Sequence, residues 1–356
     1  MEFGVFSESG YRLNPVTAEA YDLDISEIIR ADRLGFTEAW IAEPNHVRPN
    51  TVTDANLLIC RLAAQTRRIR LGTAVRNLPL LHPINVVREA NVCDHLTHGR
   101  YMFGYGGTRM QTMEQAHQRG LPFGKEETRA IVNEALELIL RAWTATEPFD
   151  FEGRYWQATR VNVLPRPFQQ PHPPIATACS GSAETLEFAG RHGFIPLLGR
   201  GNDRAEEIRE WADVYLQAAE AAGRTPSRRL FHANHFVYVG ENDRRAREDV
   251  LAGLSYVLER RKRETAIFLE KHIPPGKTIE TVTAADMIES GYYWVGGPDT
   301  IAQRIADYFA ESGGFGVLLM PSGLPVATPR KCARSMIRFT ELVAPRVAHL
   351  DPDRQN

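Results

Sequence analysis

Apolar positions along this chain switch between two periods, and the switching lays out its architecture. Short runs of strand character alternate with longer segments whose apolar residues recur at helical spacing. Glu2 to Ser7 predicts a strand, and Val16 to Leu34 predicts a helix with Tyr21, Ile25, Ile28, Ile29 and Leu34 on one face. Gly35 is placed to end that helix. Glu38 to Ala42, Ile69 to Ala74 and Tyr101 to Gly106 predict the next strands, separated by helices over Asp54 to Gln65 and Ile84 to Leu96. Further strands are expected at Ile175 to Cys179, Phe194 to Leu198, Leu230 to Val239 and Gly316 to Met320. The helices between them are expected over Glu126 to Trp143, Ala183 to His192, Ala205 to Ala222 and Thr300 to Glu311.

Such alternation implies a parallel sheet with right-handed crossovers, either doubly wound or closed. Eight strands favour closure, so the fold class is α/β, a (β/α)8 TIM barrel with insertions at the C-terminal face, as a single domain over residues 1–356. Active sites of such barrels lie at the C-terminal ends of the strands. Four clusters fall there: Glu43 to His46, Ala74 to Asn77, Gly104 to Arg109 and Ser180 to Thr185. Residues 147–173, with their prolines and aromatics, exceed a minimal barrel and predict a long loop or small hairpin across the surface. Residues 240–294 predict a helical insertion placed to act as a lid.

Pro174 to Gly193 carries the most specific local chemistry. A buried strand turns at Ser180-Gly181-Ser182 straight into a helix, whose first N–H groups and partial positive charge suit an anion. Gly181 permits close approach, and the hydroxyls of Ser182 and Thr185 add donors. An ordinary serine N-cap accounts for the same residues, so this turn alone leaves both readings open.

Composition narrows the partner. With 43% hydrophobic and 24% charged residues and a formal net charge of −2 over 356 residues, nothing electrostatic favours nucleic acid or an anionic membrane, and a small molecule is expected. No basic, apolar leader opens the chain and no apolar run approaches the ~18 residues of a membrane span, so a cytoplasmic location is expected. Cys60, Cys93, Cys179 and Cys332 lack CxxC spacing and read as core thiols, and no clustered Cys/His set or HExxH motif announces a metal. There is also no GxGxxG after a strand to hold a nicotinamide cofactor.

Leu71 to Gly106, LGTAVRNLPLLHPINVVREANVCDHLTHGRYMFGYG, resembles the signature of the bacterial luciferase-like flavin-dependent monooxygenases. EFGVF near the N-terminus, DRLGFTEAWIAE at Asp32 to Glu43, SGSAETLEFAGRHG, and the stretch from Val295 to Met320 follow in the family's order, so the resemblance covers most of the chain. It implies a barrel that binds reduced FMN (FMNH2), receives it from a separate NAD(P)H:flavin reductase, and uses O2 through a flavin C4a-peroxide to oxygenate an organic substrate. It also implies a homodimer. Ser182 and Thr185, with Ser180 and Gly181 in the turn, match the family's phosphate site, and Arg129 matches its helix arginine. Ala74 and Val75 match a non-prolyl cis peptide beneath the flavin ring. Asn77 and Gly106 stand at the same mouth.

Two departures bear on the chemistry. Where many relatives place a histidine pair after the second strand, this chain has Pro44 and Asn45, and His46 is displaced along the loop. Glu43, Asn45 and His46 are the candidate catalytic residues of that loop, His46 having a reference pKa of ~6.5 suited to proton transfer. The arginine that relatives carry directly after the fourth strand is shifted here to Arg109. His82 is expected to hold the turn before Pro83. Aromatic residues around the mouth and insertion suggest an apolar or aromatic substrate. Two alternatives stay open: an F420-dependent oxidoreductase of the same superfamily, and a protein that binds FMN without turnover.

Overall fold

Eight parallel strands close into a ring in the computed structural model, which describes residues 1–8, 17–43, 52–107, 110–118, 120–122, 124–179, 181–198, 202–264 and 269–354. The chain begins with β1 (Glu2–Ser7), α1 (Thr17–Leu34), β2 (Glu38–Ala42), α2 (Ala55–Ala63) and β3 (Arg70–Ala74). A two-residue β4 (Arg76–Asn77), α3 (Pro83–Leu96), β5 (Tyr101–Gly106), α4 (Met110–Gln118) and α5 (Lys125–Thr144) follow. A hairpin of β6 (Phe149–Glu152) and β7 (Gln157–Val161) precedes β8 (Ile175–Cys179), α6 (Ala183–His192), β9 (Ile195–Leu198), α7 (Ala205–Ala221) and β10 (His232–Asn234). The chain continues through β11 (Val237–Val239), α8 (Asp243–Glu264), α9 (Ala284–Glu289), β12 (Trp294–Gly296), α10 (Pro298–Glu311), β13 (Val317–Ser322), α11 (Pro329–Arg338) and α12 (Ala344–Val347). The ring runs β1, β2, β3, β5, β8, β9, β10, β13 and back to β1.

Two apolar cores follow from the strand alternation. Outward-facing residues such as Val5, Ile41, Leu71, Phe103 and Leu318 pack under the helices, while Phe6, Trp40, Met102, Ala176, Leu197 and Leu319 fill the barrel itself. Local signals set the helix ends. The Asp54 carboxylate caps α2 by accepting the N–H groups of Asn56 and Leu57, and Gly193 closes α6 at a φ of 69°. At the base of the barrel the buried Glu38 carboxylate accepts from Trp40 Nε1 at 2.8 Å and Arg70 at 2.6 Å and meets His232 Nε2 at 2.7 Å.

The expected strand over Leu230 to Val239 divides in two. Its first part, β10, enters the barrel, and its second, β11, leaves it to pair with β12. Asn202 makes the break: its N–H donates to the Asn234 carbonyl and its side-chain oxygen accepts the Phe236 N–H. His235 at the turn stacks on Trp294 at 4.1 Å and points Nε2 at the Asp203 carbonyl. Burial pushes this imidazole down to about 3, so it is a neutral packing group.

The helical insertion grows from that break at the mouth side of the ring. Val250, Leu254 and Val257 of α8 and Met287 of α9 share a core with Phe236, Tyr238, Leu324 and Val326. The β6/β7 hairpin instead leaves the far end of α5 and climbs its outer side. The Glu134 carboxylate holds its turn through the N–H groups of Arg154, Tyr155 and Trp156, and the Trp156 ring reaches His82.

Candidate active site

Parallel registers around the ring place inward residues of alternate strands in layers. Gly4, Gly72, Ala176 and His232 form one layer. Trp40, Gly104, Leu197 and Leu319 lie above it, and Phe6, Ala74, Ala178 and Asn234 above those. The Trp40 ring is fully buried and occupies the space that a side chain at Gly72 would need. It is the floor of whatever lies above.

Above that floor β2, β3, β5 and β8 carry almost no side chain. Ala42 and Ala74 are half-buried, Gly106 has no Cβ, and Ala178 is exposed although it lies within a barrel strand. A Cβ at Gly106 would stand 2.7 Å from Val75 Cγ2 and 3.1 Å from Ala178 Cβ. The result is an open cup with an apolar floor, walled by alanine and glycine. The Ala74-Val75 peptide bond at its rim is cis, as the resemblance implies.

Asn234 is the polar exception in this layer, 4% exposed, with Oδ1 buried and unpartnered among the described residues. Buried acceptors are almost always satisfied. An amide on the inward face of β10 beside this cup is a candidate contact for a bound molecule. The sequence pattern places Asn234 inside the strand expected over Leu230 to Val239, with no motif around it. Strand parity, counted from His232, would have pointed it inward.

One edge of the cup holds the start of α6, the candidate anion site. Gly181 adopts a φ of 83°, and a Cβ there would overlap the Trp211 ring of α7. Ser182 is the N-cap of α6 and makes no capping hydrogen bond through its side chain, so the ordinary-cap reading loses its support. Thr185 follows in the first turn, half-buried. Arg129, from the second turn of α5, reaches this helix start and donates to the Glu184 carboxylate. Lys271 of the insertion leans on the same edge, 2.7 Å from Glu207 and above the Trp211 ring.

The opposite edge is a charge cluster. Arg76, 1% exposed, donates to Glu43 at 2.8 Å, Asp54 at 2.9 Å and Glu89 at 2.6 Å. Glu43 also accepts the Ala55 N–H, and burial raises its pKa despite Arg76. Asn77 donates to the Glu43 carbonyl at 3.3 Å. These contacts tie the end of β2, β4, the start of α2 and the middle of α3 together. Arg76 was not singled out from sequence, because the carboxylates it gathers lie far apart in the chain.

Of the expected residues, the structure gathers Ala74, Val75 and Gly106 at the cup and Arg129, Gly181, Ser182 and Thr185 at the edge formed by the start of α6. Glu43 and Asn77 belong to the Arg76 cluster. Asn45, His46, Arg109 and Ser180 lie outside the described residues. His82 caps α3 by accepting the Ile84 N–H at 3.3 Å, the turn-holding role expected of it.

A model of the luciferase-like monooxygenase family matches residues 1–314. The chain is 29% identical over 330 residues to 4-hydroxyprotoasukamycin monooxygenase of Streptomyces nodosus subsp. asukaensis, covering 91% of this chain and 86% of that protein. It is 26% identical over 377 residues to 3,6-diketocamphane 1,6-monooxygenase of Pseudomonas putida, covering 98% of each. The solved oxygenating constituent of 3,6-diketocamphane monooxygenase from the CAM plasmid of Pseudomonas putida, a type II Baeyer-Villiger enzyme in complex with FMN, has the same fold. Its TM-score is 0.83 at 24% identity, over 97% of this chain and 98% of that one.

Proposed function

The chain belongs to the luciferase-like monooxygenase family, and we propose that it is the oxygenase component of a two-component system that uses reduced FMN and O2 to oxygenate an apolar or aromatic organic compound. The observation that carries this reading is the cup itself, a side-chain-poor space above Trp40 with the start of α6 at one edge. An isoalloxazine ring needs such a space and a phosphate needs such an edge. The relatives named as monooxygenases support the same reading.

Each residue then has a task. The α6 N-terminus with Gly181, Ser182, Thr185 and Ser180 would hold the phosphate, and Arg129 would neutralise it through parallel guanidinium donors. Arg109 would reach the ribityl chain. Ala74, Val75, Gly106 and Ala178 would line the ring, and the Asn234 amide would orient ring or substrate. The bound flavin supplies the activation of O2. The protein's share is to bind, orient and keep water out, and the Trp40 floor and apolar walls suit that task. His46, with Asn45 beside it, would move the proton at the second-strand loop. Glu43 would position that loop by anchoring Arg76 and Ala55, in place of the catalytic role expected from sequence.

The missing nicotinamide fingerprint supports a separate reductase, and the resemblance supports a homodimer. Anaerobic titration with photoreduced flavins tests the cofactor. FMNH2 is expected to bind at least tenfold more tightly than reduced riboflavin, which lacks the phosphate. A preference for reduced F420 over FMNH2 would overturn the proposal.

A further inference from the structure

Two of the four cysteines, remote in sequence, meet in the structure. Cys60 of α2 and Cys93 of α3 have their sulfurs 3.6 Å apart. Cys60 is half-buried, whereas Cys93 is 2% exposed and its Sγ also points at the Asn56 carbonyl, 3.9 Å away. Two thiols in contact, one of them reachable from solvent and the other behind it, are the arrangement of an attacking and a resolving cysteine. We propose that Cys60 and Cys93 form a peroxide-reactive dithiol that closes to a reversible disulfide. The proposal stands apart from the flavin reading, because its oxidant is a hydroperoxide from any source.

The chemistry balances with that oxidant alone. The Cys60 thiolate attacks the terminal peroxide oxygen, the O–O bond breaks, and alkoxide (hydroxide from H2O2) leaves and takes up the proton that Cys60 gave up; sulfur is oxidised to sulfenic acid and the peroxide is reduced to alcohol or water. Cys93 sulfur then attacks Cys60 sulfur, the S–OH bond breaks, and the Cys93 proton joins the departing hydroxide as water. Two thiols and one hydroperoxide become one disulfide, one water and one alcohol, or a second water when the oxidant is H2O2. The contact also favours the first step: hydrogen bonding from Cys93 holds the Cys60 thiol down at about 7, below its usual value. The same contact and burial raise Cys93. Cys179 lies buried in β8, and Cys332 Sγ donates to the Ala327 carbonyl, 3.8 Å away.

The disulfide would staple α2 to α3, the two helices that hold Arg76 through the Asp54 cap and mid-helix Glu89. The test treats the full, reduced chain with a few-fold excess of H2O2, blocks remaining thiols with an alkylating agent, and maps the peptides without reduction. The expected result is a peptide pair linked through Cys60 and Cys93, released by dithiothreitol, with Cys179 and Cys332 alkylated. In Cys93→Ser, dimedone should trap a sulfenic acid on Cys60, and in Cys60→Ser, Cys93 should remain alkylatable. The proposal is overturned if wild type loses no thiol, if Cys179 or Cys332 oxidises first, or if Cys60 passes to sulfinic acid without a cross-link. The wild-type map decides this alone, so the outcome does not depend on how either variant folds.

Discussion

Arg129 of α5 and Glu184 in the first turn of α6 form an ion pair across the start of a helix whose N-cap, Ser182, leaves its own side chain out of the cap. A carboxylate thus occupies the guanidinium where the proposed phosphate would sit. Arg129→Ala is expected to weaken FMN binding by roughly tenfold or more, the weight of a charge-assisted hydrogen bond, and to leave riboflavin binding within about twofold. Glu184→Gln is expected to tighten FMN severalfold, since the phosphate no longer displaces a like charge. Flavin fluorescence titration reads both, and equal losses for FMN and riboflavin in Arg129→Ala would remove Arg129 from the phosphate site.

Asn234 should separate stability from function. Its Oδ1 has no partner among the described residues, so Asn234→Ala deletes a desolvated acceptor and should leave the melting temperature unchanged or raised. The same change should lower kcat/KM of oxygenation by about tenfold, the worth of one hydrogen bond of about 1.4 kcal/mol. A variant with lost stability and full turnover would make Asn234 a core residue.

Loss of the imidazole on the second-strand loop should act on turnover alone. His46→Ala is expected to lower kcat while FMN affinity stays within about twofold. Unchanged turnover would take His46 out of the mechanism.

Acid stability should depend on the pair at the barrel base. Burial works to raise the Glu38 pKa, but His232, then Arg70 and Trp40, overcome it and hold the carboxyl down at about 2, against an ordinary 4.5. A depressed carboxylate contributes stability that is present above its unfolded pKa and lost as pH falls toward its folded one. Wild type should therefore lose roughly 3 kcal/mol from this group between pH 4.5 and 2, and Glu38→Gln should show a flatter acid limb in urea unfolding. A parallel acid limb in the variant would contradict the assignment.

Much of this was legible in the sequence because it rests on local patterns. β1, β2, β5, β8 and α6 fall on the residues where period and turn chemistry placed them. The break at His235 was not legible, because it depends on Asn202, which comes beside it only when the ring closes. The same reason hid the Arg76 cluster and the Cys60–Cys93 contact: each joins α2 and α3, and helix packing leaves no trace in spacing along the chain. Ser182, Thr185 and Arg129 were within reach through family resemblance. Asn234, with no motif around it, needed the layer it belongs to.

The central claim, that the Trp40-floored cup holds reduced flavin for oxygen transfer, is tested most directly with 18O2. The chain would be supplied with FMN, NADH, a generic flavin reductase and a panel of apolar and aromatic compounds, and the products analysed by mass spectrometry. The account predicts one 18O atom from O2 in the product, dependent on FMN and lost together with FMN affinity in Arg129→Ala. Substrate conversion that proceeds without O2, with reduced F420 as hydride donor, would contradict it.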